Sequence, residues 1–410
     1  MPHLPFVYLS IHSDRVSIDI PEGSLRMSQS DSSPGTAERA RSYKKAKLTF
    51  FVVGIIISWV TSIQFLRSGS SRAIADQTRQ RIGHPHLSDG ATISLFMLLS
   101  WIASLPLAYL RGHILEHAYG MSNQSLLQWF GEQLKGLALQ LGLLVPISQV
   151  TLAIIRRRPN DWWAVLSALA VPFSVILAQL APVLILPLFN TYQPLRDQEL
   201  ADRLRRLGER SGIKVADIME MDMSRQTNAS NAFVTGIGRS KRIVLADTML
   251  ESLTHDEIET IVAHEIAHQA NSDIWRFLAL GTATAALSSL ATQKIFEAVN
   301  PRTNKLTGIR GAGYVEALPL LALITSLLSM LSMPITNAYS RHRERIADRY
   351  ALELSGNPHA FSSAFTKLSE NNLIEEQSSR LETILLHSHP SIRERREACE
   401  RFAAEQQAGD

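Results

Sequence analysis

Cysteine is almost absent from this chain: Cys399 stands alone among 410 residues. An internal disulfide and any metal site built from several cysteines are therefore excluded. Charge is scarce as well, at 19% of residues, and it gathers in blocks that leave long uncharged runs between them. The first 40 residues hold no apolar stretch of the kind that marks a cleavable signal peptide. No short internal repeat is visible. The sequence pI near 9.0 raises nucleic acid as a partner, but the basic residues lie mostly beside apolar runs, where membrane-flanking charge accounts for them. No nucleic-acid partner is expected.

What the chain does have is length without charge. A helix needs roughly 20 apolar residues to cross a bilayer. The runs 48–66, 91–110, 136–155 and 317–340 meet that requirement. The uncharged stretch 162–195 is interrupted by Pro172, Pro182, Pro187 and Pro194, and reads as one kinked span ending near Phe189. Residues 277–293 are short for a span but rich in Ala, Gly, Ser and Thr, which suits close helix packing. The expected fold is mainly α, a polytopic membrane helix bundle of about six spans with a small cytosolic α+β domain.

Five Lys/Arg residues between Arg39 and Lys47 flank the first span, so positive-inside logic places this end in the cytosol. Six spans return the chain to that side, which makes 190–273 and everything after Ser340 cytosolic. Arg156, Arg157 and Arg158 then fall outside, against the rule. The expected protein is a multi-pass protein of the cell membrane with its polar domain, and any site that domain carries, facing the cytosol. Residues 1–44 read as a disordered tail in which Met27 is an alternative start to Met1. Residues 45–190 read as a membrane region of four spans, and 191–410 as a second part that holds the polar domain and two more spans.

Between the fourth and fifth spans the composition becomes polar. "DQELADRLRRLGERSG" has helical spacing with Gly212 as its stop, and "VADIMEMDM", "NAFVTGIG" and "RIVLAD" read as short strands. Thr254 with Glu257 three residues on forms a capping-box pattern that opens another helix. On that helix His264 and His268 lie one turn apart on the same face, where two imidazoles can converge on one zinc ion while Glu265 reaches a water bound to it. His-Glu-x-x-His on a helix is the zincin pattern of two ligands and a general base.

A catalytic zinc usually takes three protein ligands and leaves one position open. Position 274, where a third histidine would mark the metzincin type, is Ile. Glu297 and Glu316 sit at the far ends of the fifth and sixth spans. Glu344 lies just past the sixth span, on the face to which the chain returns, with Asp348 one turn on to accept the free ring N–H of a ligating histidine. His342 is a rival ligand, and a solvated face for the Arg-rich segment "SRHRERIADRY" is the competing reading. "SNAFVTG" reads either as an edge strand onto which an extended peptide adds or as an ordinary internal strand. His389, beside Pro390 with Arg393 and Arg395 near, either donates to a developing oxyanion or is a surface histidine.

Taken together, "YGMSNQSLLQWFGEQLKG", "LAPVLILPLFNTYQPL", "SNAFVTGIGRSKRIVLADTML", "HEIAH", "SRHRERIAD" and "HPSIRER" resemble, in order, the integral-membrane CAAX prenyl endopeptidases, the sterile-24 type of zinc metalloprotease. The resemblance runs from about residue 90 to 396. It implies one zinc per chain held by His264, His268 and Glu344, with Glu265 as base and Asp348 behind a ligand. It also implies a substrate strand through Asn231, Ala232 and Phe233, and assistance at the reacting carbonyl from His389 and Arg395. The implied partner is a protein or peptide, lipidated or not, held at a membrane lipid surface. Eukaryotic members have seven spans against six here, and many relatives read His-Pro-Pro where this chain has His-Pro-Ser. The implied function is a membrane zinc metalloendopeptidase cutting near the C-terminus of prenylated CAAX-type proteins. The alternatives are a quality-control protease for membrane proteins, a non-catalytic scaffold that keeps the zinc fold, and, last, a transporter. The transporter is disfavoured because the spans carry almost no ionisable residues.

Overall fold

The computed structural model describes residues 35–236, 238 and 241–409. Residues 1–34, which hold Met27 and most of the expected tail, lie outside the described residues. Residues 36–44, also expected in that tail, are instead the opening turns of a long helix α1 (Thr36–Arg67). Their order has a local cause: Tyr43 is buried and donates from its hydroxyl to Glu116, 2.7 Å away, while Lys44 pairs with Glu375 and Glu382, each at 2.6 Å.

Six helices among the described residues are long and apolar enough to cross a membrane. After α1 and a short polar helix α2 (Ser70–Ile82) comes α3 (Pro85–Tyr109), continued by a π-helical stretch (Leu110–Leu115) and a last α-helical turn to Ala118. Then follow α4 (Leu126–Arg157) and α5 (Trp162–Leu180), which loosens into π and 3-10 turns at Pro182 and Pro187 and ends at Leu188. Proline removes an N–H and crowds the preceding turn, so the kinked span anticipated from the prolines is the one that forms. The fifth span is longer than its apolar stretch: α9 runs Asp273–Thr307. The sixth, α10, runs Leu318–Ser355 without a break, leaving the apolar zone and continuing into the polar domain.

That domain is built on a four-stranded sheet: β1 (Tyr192–Pro194), β2 (Asp217–Met221), β3 (Ala232–Thr235) and β4 (Arg242–Ala246), in the order β1-β2-β4-β3. β2 and β4 run parallel, and the outer pairs are antiparallel. Over the sheet lie α6 (Gln198–Arg210), α7 (Asp247–Ser252) and α8 (His255–Ala270). After α10 follow α11 (Pro358–Asn371), α12 (Arg380–Leu386) and α13 (Ile392–Gly409). One apolar core joins Leu204, Ile243, Ile266, Leu352 and Phe361 from sheet and helices alike. Gly212, left-handed at φ 72°, ends α6 as its position anticipates.

At the opposite end of the bundle Glu316 is fully buried and takes Arg310 at 2.7 Å. Asp89, also buried, takes Arg156 at 2.9 Å. Arg158 pairs with Asp161. Two of the three arginines that break the positive-inside pattern are thus neutralised by local carboxylates.

Candidate metal centre

Helix α8 begins on a formed capping box: Thr254 accepts from the Glu257 N–H, and the Glu257 carboxylate accepts from the Thr254 N–H at 2.8 Å. Glu257 is further tied to Ser363 at 2.6 Å and Lys367 at 2.8 Å on α11. The helix is therefore fixed at its start and buried along Ile258, Ile261, Val262 and Ile266. Two turns later it presents His264, buried, and His268, half-buried.

Their Nε2 atoms stand 3.3 Å apart. Glu344, arriving on α10, sets one carboxylate oxygen 3.3 Å from His264 Nε2 and the other 3.5 Å from His268 Nε2. In a tetrahedral site with metal–donor distances of about 2.0–2.1 Å, neighbouring donors lie about 3.3–3.4 Å apart. Two imidazole nitrogens and a carboxylate at these separations fit a divalent cation. They form the one cluster of three or more His, Cys, Asp or Glu side chains with this convergence among the described residues.

The far ring nitrogens are also engaged. His264 Nδ1 faces Asp348 Oδ1 at 2.9 Å, off the line of a straight hydrogen bond. His268 Nδ1 meets Asp273 Oδ2 at 2.8 Å, a partner that sequence reasoning missed although Asp273 closes the same short stretch as the histidines. Asp273 is 2% exposed, and its other oxygen receives Arg343 Nε at 2.7 Å. Burial lowers the His264 pKa, but the Asp348 and Glu344 carboxylates outweigh it and bring it to about 10. Metal binding there must displace a proton.

Glu265 is half-buried and makes no hydrogen bond or ion pair among the described residues, so its carboxylate is free to act. His342 projects from the exposed face of α10 and does not join the cluster. The solvated-face reading holds for Arg345 and Arg349 but not for Arg341 and Arg343, which are buried at 7% and 6% exposure, Arg341 donating to the Thr383 and His387 carbonyls and Arg343 to Asp273. For Arg341 the signal was its spacing from Asn337, Glu344 and Asp348, which places all four on one helix face; Arg343 lies off that face and had none.

Arg395 is buried, 4% exposed, and grips both acids: Nη2 donates to Glu344 at 2.8 Å and Nη1 lies 3.2 Å from Asp348. Its guanidinium also covers the Phe365 ring, 4.2 Å from the centroid. It thus stands behind the ligand carboxylate. His389 places Nε2 3.5 Å from Glu344 Oε1 while its side chain stays 56% exposed, and Ser388 Oγ lies 2.9 Å from its Nδ1. Desolvation holds its pKa below the ordinary imidazole value. Asn231, Ala232 and Phe233 lie on or beside β3, which is an edge strand and packs beside α8. Ala246 N–H bonds to Asn231 C=O at 3.0 Å. By antiparallel alternation, the backbone groups of Ala232 and Val234 then face the open edge.

Two sequence families match. Peptidase family M48 covers residues 194–403, and a family described as "CAAX prenyl protease N-terminal, five membrane helices" covers residues 27–191. Within that second range four of the described helices are long and apolar enough to cross a membrane. The uncharacterized metalloprotease YhfN of Bacillus subtilis is 31% identical over 392 residues, 95% of this chain and 91% of that protein. CAAX prenyl protease 1 of Saccharomyces cerevisiae is 27% identical over 389 residues, 88% of this chain and 84% of that protein. Among solved structures, Ste24p of S. mikatae superposes with a TM-score of 0.79 at 25% identity, covering 89% of each chain.

Proposed function

Because this chain belongs to peptidase family M48, we propose that it is a zinc endopeptidase that cuts near the C-terminus of prenylated CAAX-type proteins. At the coarser level it is a membrane-embedded, multi-pass metalloprotease acting on protein or peptide substrates. The zinc part of this reading rests on one observation: His264, His268 and Glu344 bring two nitrogens and a carboxylate to within 3.3–3.5 Å of one another, the spacing of a tetrahedral zinc site; the substrate class is supported by the similarity to CAAX prenyl protease 1 of S. cerevisiae.

His264, His268 and Glu344 are the ligands in this reading, one zinc per chain. When bound, zinc supplies Lewis acidity and lowers the pKa of a coordinated water toward about 7. The remaining chemistry falls to the chain's own groups. Glu265, unpaired and one position from His264, accepts a proton from the attacking water and passes it to the leaving amine. Asp348 and Asp273 hold the two imidazoles by their Nδ1 side. Arg395 fixes Glu344 against rotation. His389, partly open and beside Glu344, donates toward the oxygen on which negative charge develops. Asn231, Ala232 and Phe233 receive the substrate as an added strand on the open edge of β3, so that backbone hydrogen bonds align the scissile bond.

The domain division proposed is a tail before the first span, a four-span N-terminal region and a peptidase part from about residue 191. The site faces the cytosol, and the cell membrane is its location. This orientation matches a substrate whose lipid is buried in the inner leaflet while its peptide end reaches the polar domain.

The test is metal analysis of purified wild type and His268→Ala, with cleavage of a farnesylated CAAX peptide measured with and without chelator. Stoichiometric zinc in wild type, its loss in the variant and chelator-sensitive cleavage are expected. Absence of zinc from wild type, or cleavage that ignores chelation, overturns the reading. Hydrolysis of unprenylated membrane proteins alone replaces the substrate class and keeps the chemistry.

A further inference from the structure

The turn between α8 and α9 is unusual. Ser272 adopts a left-handed conformation, φ 56° and ψ 37°, which few non-glycine residues do. The effect is to reverse the chain so sharply that Asp273, the first residue of α9, points back at His268 five positions earlier. Asp273 is 2% exposed and divides its carboxylate cleanly. Oδ2 meets His268 Nδ1 at 2.8 Å, and Oδ1 meets Arg343 Nε at 2.7 Å and Nη2 at 2.5 Å. Arg343 lies one position before Glu344 on α10 and is 6% exposed. It touches neither the catalytic carboxylate nor the Nε2 atoms.

A carboxylate this deeply buried needs a compensating charge. Arg343 supplies it, and in doing so anchors the acceptor that decides which His268 nitrogen carries the proton. With Nδ1–H committed to Asp273, the Nε2 lone pair is left facing His264 and Glu344. The same guanidinium ties the start of α9 to the helix that delivers Glu344. Ligands from α8 and α10 are therefore locked in register through a pair that no ligand contacts on both sides.

We propose that Arg343 and Asp273 form one positioning unit that sets the metal affinity of the site by fixing the tautomer and orientation of His268. This deepens the zinc reading above and rests on it. His264 has its own counterpart in Asp348 and Arg395, so both imidazoles are backed by an aspartate held by an arginine. The Asp273–Arg343 arm differs in that its arginine pairs with the aspartate alone and not with the Glu344 carboxylate among the described residues, so Arg343 can be altered without removing a direct contact to a ligand.

The experiment measures Zn²⁺ affinity by chelator competition and the visible spectrum of the Co²⁺-substituted protein, on the full-length chain in detergent. The variants are Asp273→Asn, Arg343→Gln and the two combined. Arg310→Gln breaks the buried Arg310–Glu316 pair at the opposite end of the bundle and serves as the control for stability alone. Each single variant is expected to weaken Zn²⁺ binding roughly 10–100-fold and to shift the Co²⁺ bands. The double variant should be no weaker than Asp273→Asn, because Arg343 acts through Asp273. Arg310→Gln should lose thermal stability and keep wild-type affinity. Should Arg343→Gln fail to fold, Arg343→Lys keeps the charge but loses the planar fork, and a several-fold loss of affinity is expected. Wild-type affinity in the Asp273 and Arg343 variants, or fold losses that multiply in the double variant, would overturn the proposal. A wild-type protein that binds no zinc overturns the metal reading itself, an outcome distinguishable because it appears before any substitution.

Discussion

At the residue scale the site separates groups that hold from the group that reacts. His264, His268 and Glu344 face one another, and each has a buried neighbour behind it; Glu265 has none among the described residues. Glu265→Gln is therefore expected to leave zinc content unchanged and to cut kcat by about 10²–10⁴ or more, read by metal analysis beside peptide cleavage. Glu344→Ala should lose the metal, and should also leave Arg395 without its nearest carboxylate. His342→Ala, on the exposed face of the same helix, should change neither zinc content nor rate. The sequence made the ligands legible because helical spacing alone puts His264 and His268 on one face. It did not make Asp273 or Arg343 legible, since their meeting depends on a left-handed turn at Ser272, which a serine does not announce.

At the element scale the metal helix α8 is held by its N-terminal cap. Thr254→Ala is expected to cost about 1 kcal/mol of domain stability, measured by thermal unfolding. Glu257 is subject to desolvation, which raises its pKa, but Lys367, Ser363 and the Thr254 N–H outweigh it and hold the carboxyl below its usual value. Its folded pKa is depressed, so its contribution is present above the unfolded value and disappears as pH falls through the folded one. Glu257→Gln should flatten the loss of stability below about pH 4.5, which a pH series of melting curves would show. The strand β3 was ambiguous in sequence because an edge and a central strand share the same short apolar pattern. Its position is decided by β4 lying between it and β2. If peptide adds to this edge, Val234→Pro should lower kcat/KM for an extended peptide while zinc content holds, because its N–H faces outward and is not needed by β4. Unchanged kcat/KM would remove the edge from the mechanism.

At the scale of the whole molecule, α10 joins membrane to chemistry: one unbroken helix from Leu318 to Ser355 carries lipid-facing residues such as Leu331 and Ile335 and then Glu344 and Asp348. Orientation can be tested with the chain's own economy in cysteine. Cys399 is 4% exposed and burial pushes its thiol up to about 12, so it should stay silent to a membrane-impermeant maleimide. Gln377→Cys should label only after permeabilisation and Arg157→Cys in intact cells; the reverse pattern would invert the proposed topology. By itself the sequence determined the spans, the capped metal helix and its two histidines, because apolar length and helical periodicity are local properties written in consecutive residues. Only the tertiary structure decided that Arg341 and Arg343 are buried rather than solvated, that Arg395 stands behind Glu344, and that Asp273 turns back onto His268. Each of those depends on segments far apart in sequence being packed against one another, where burial leaves a charged group no stable state except beside its opposite or, as with Arg341 at the Thr383 and His387 carbonyls, beside strong hydrogen-bond acceptors.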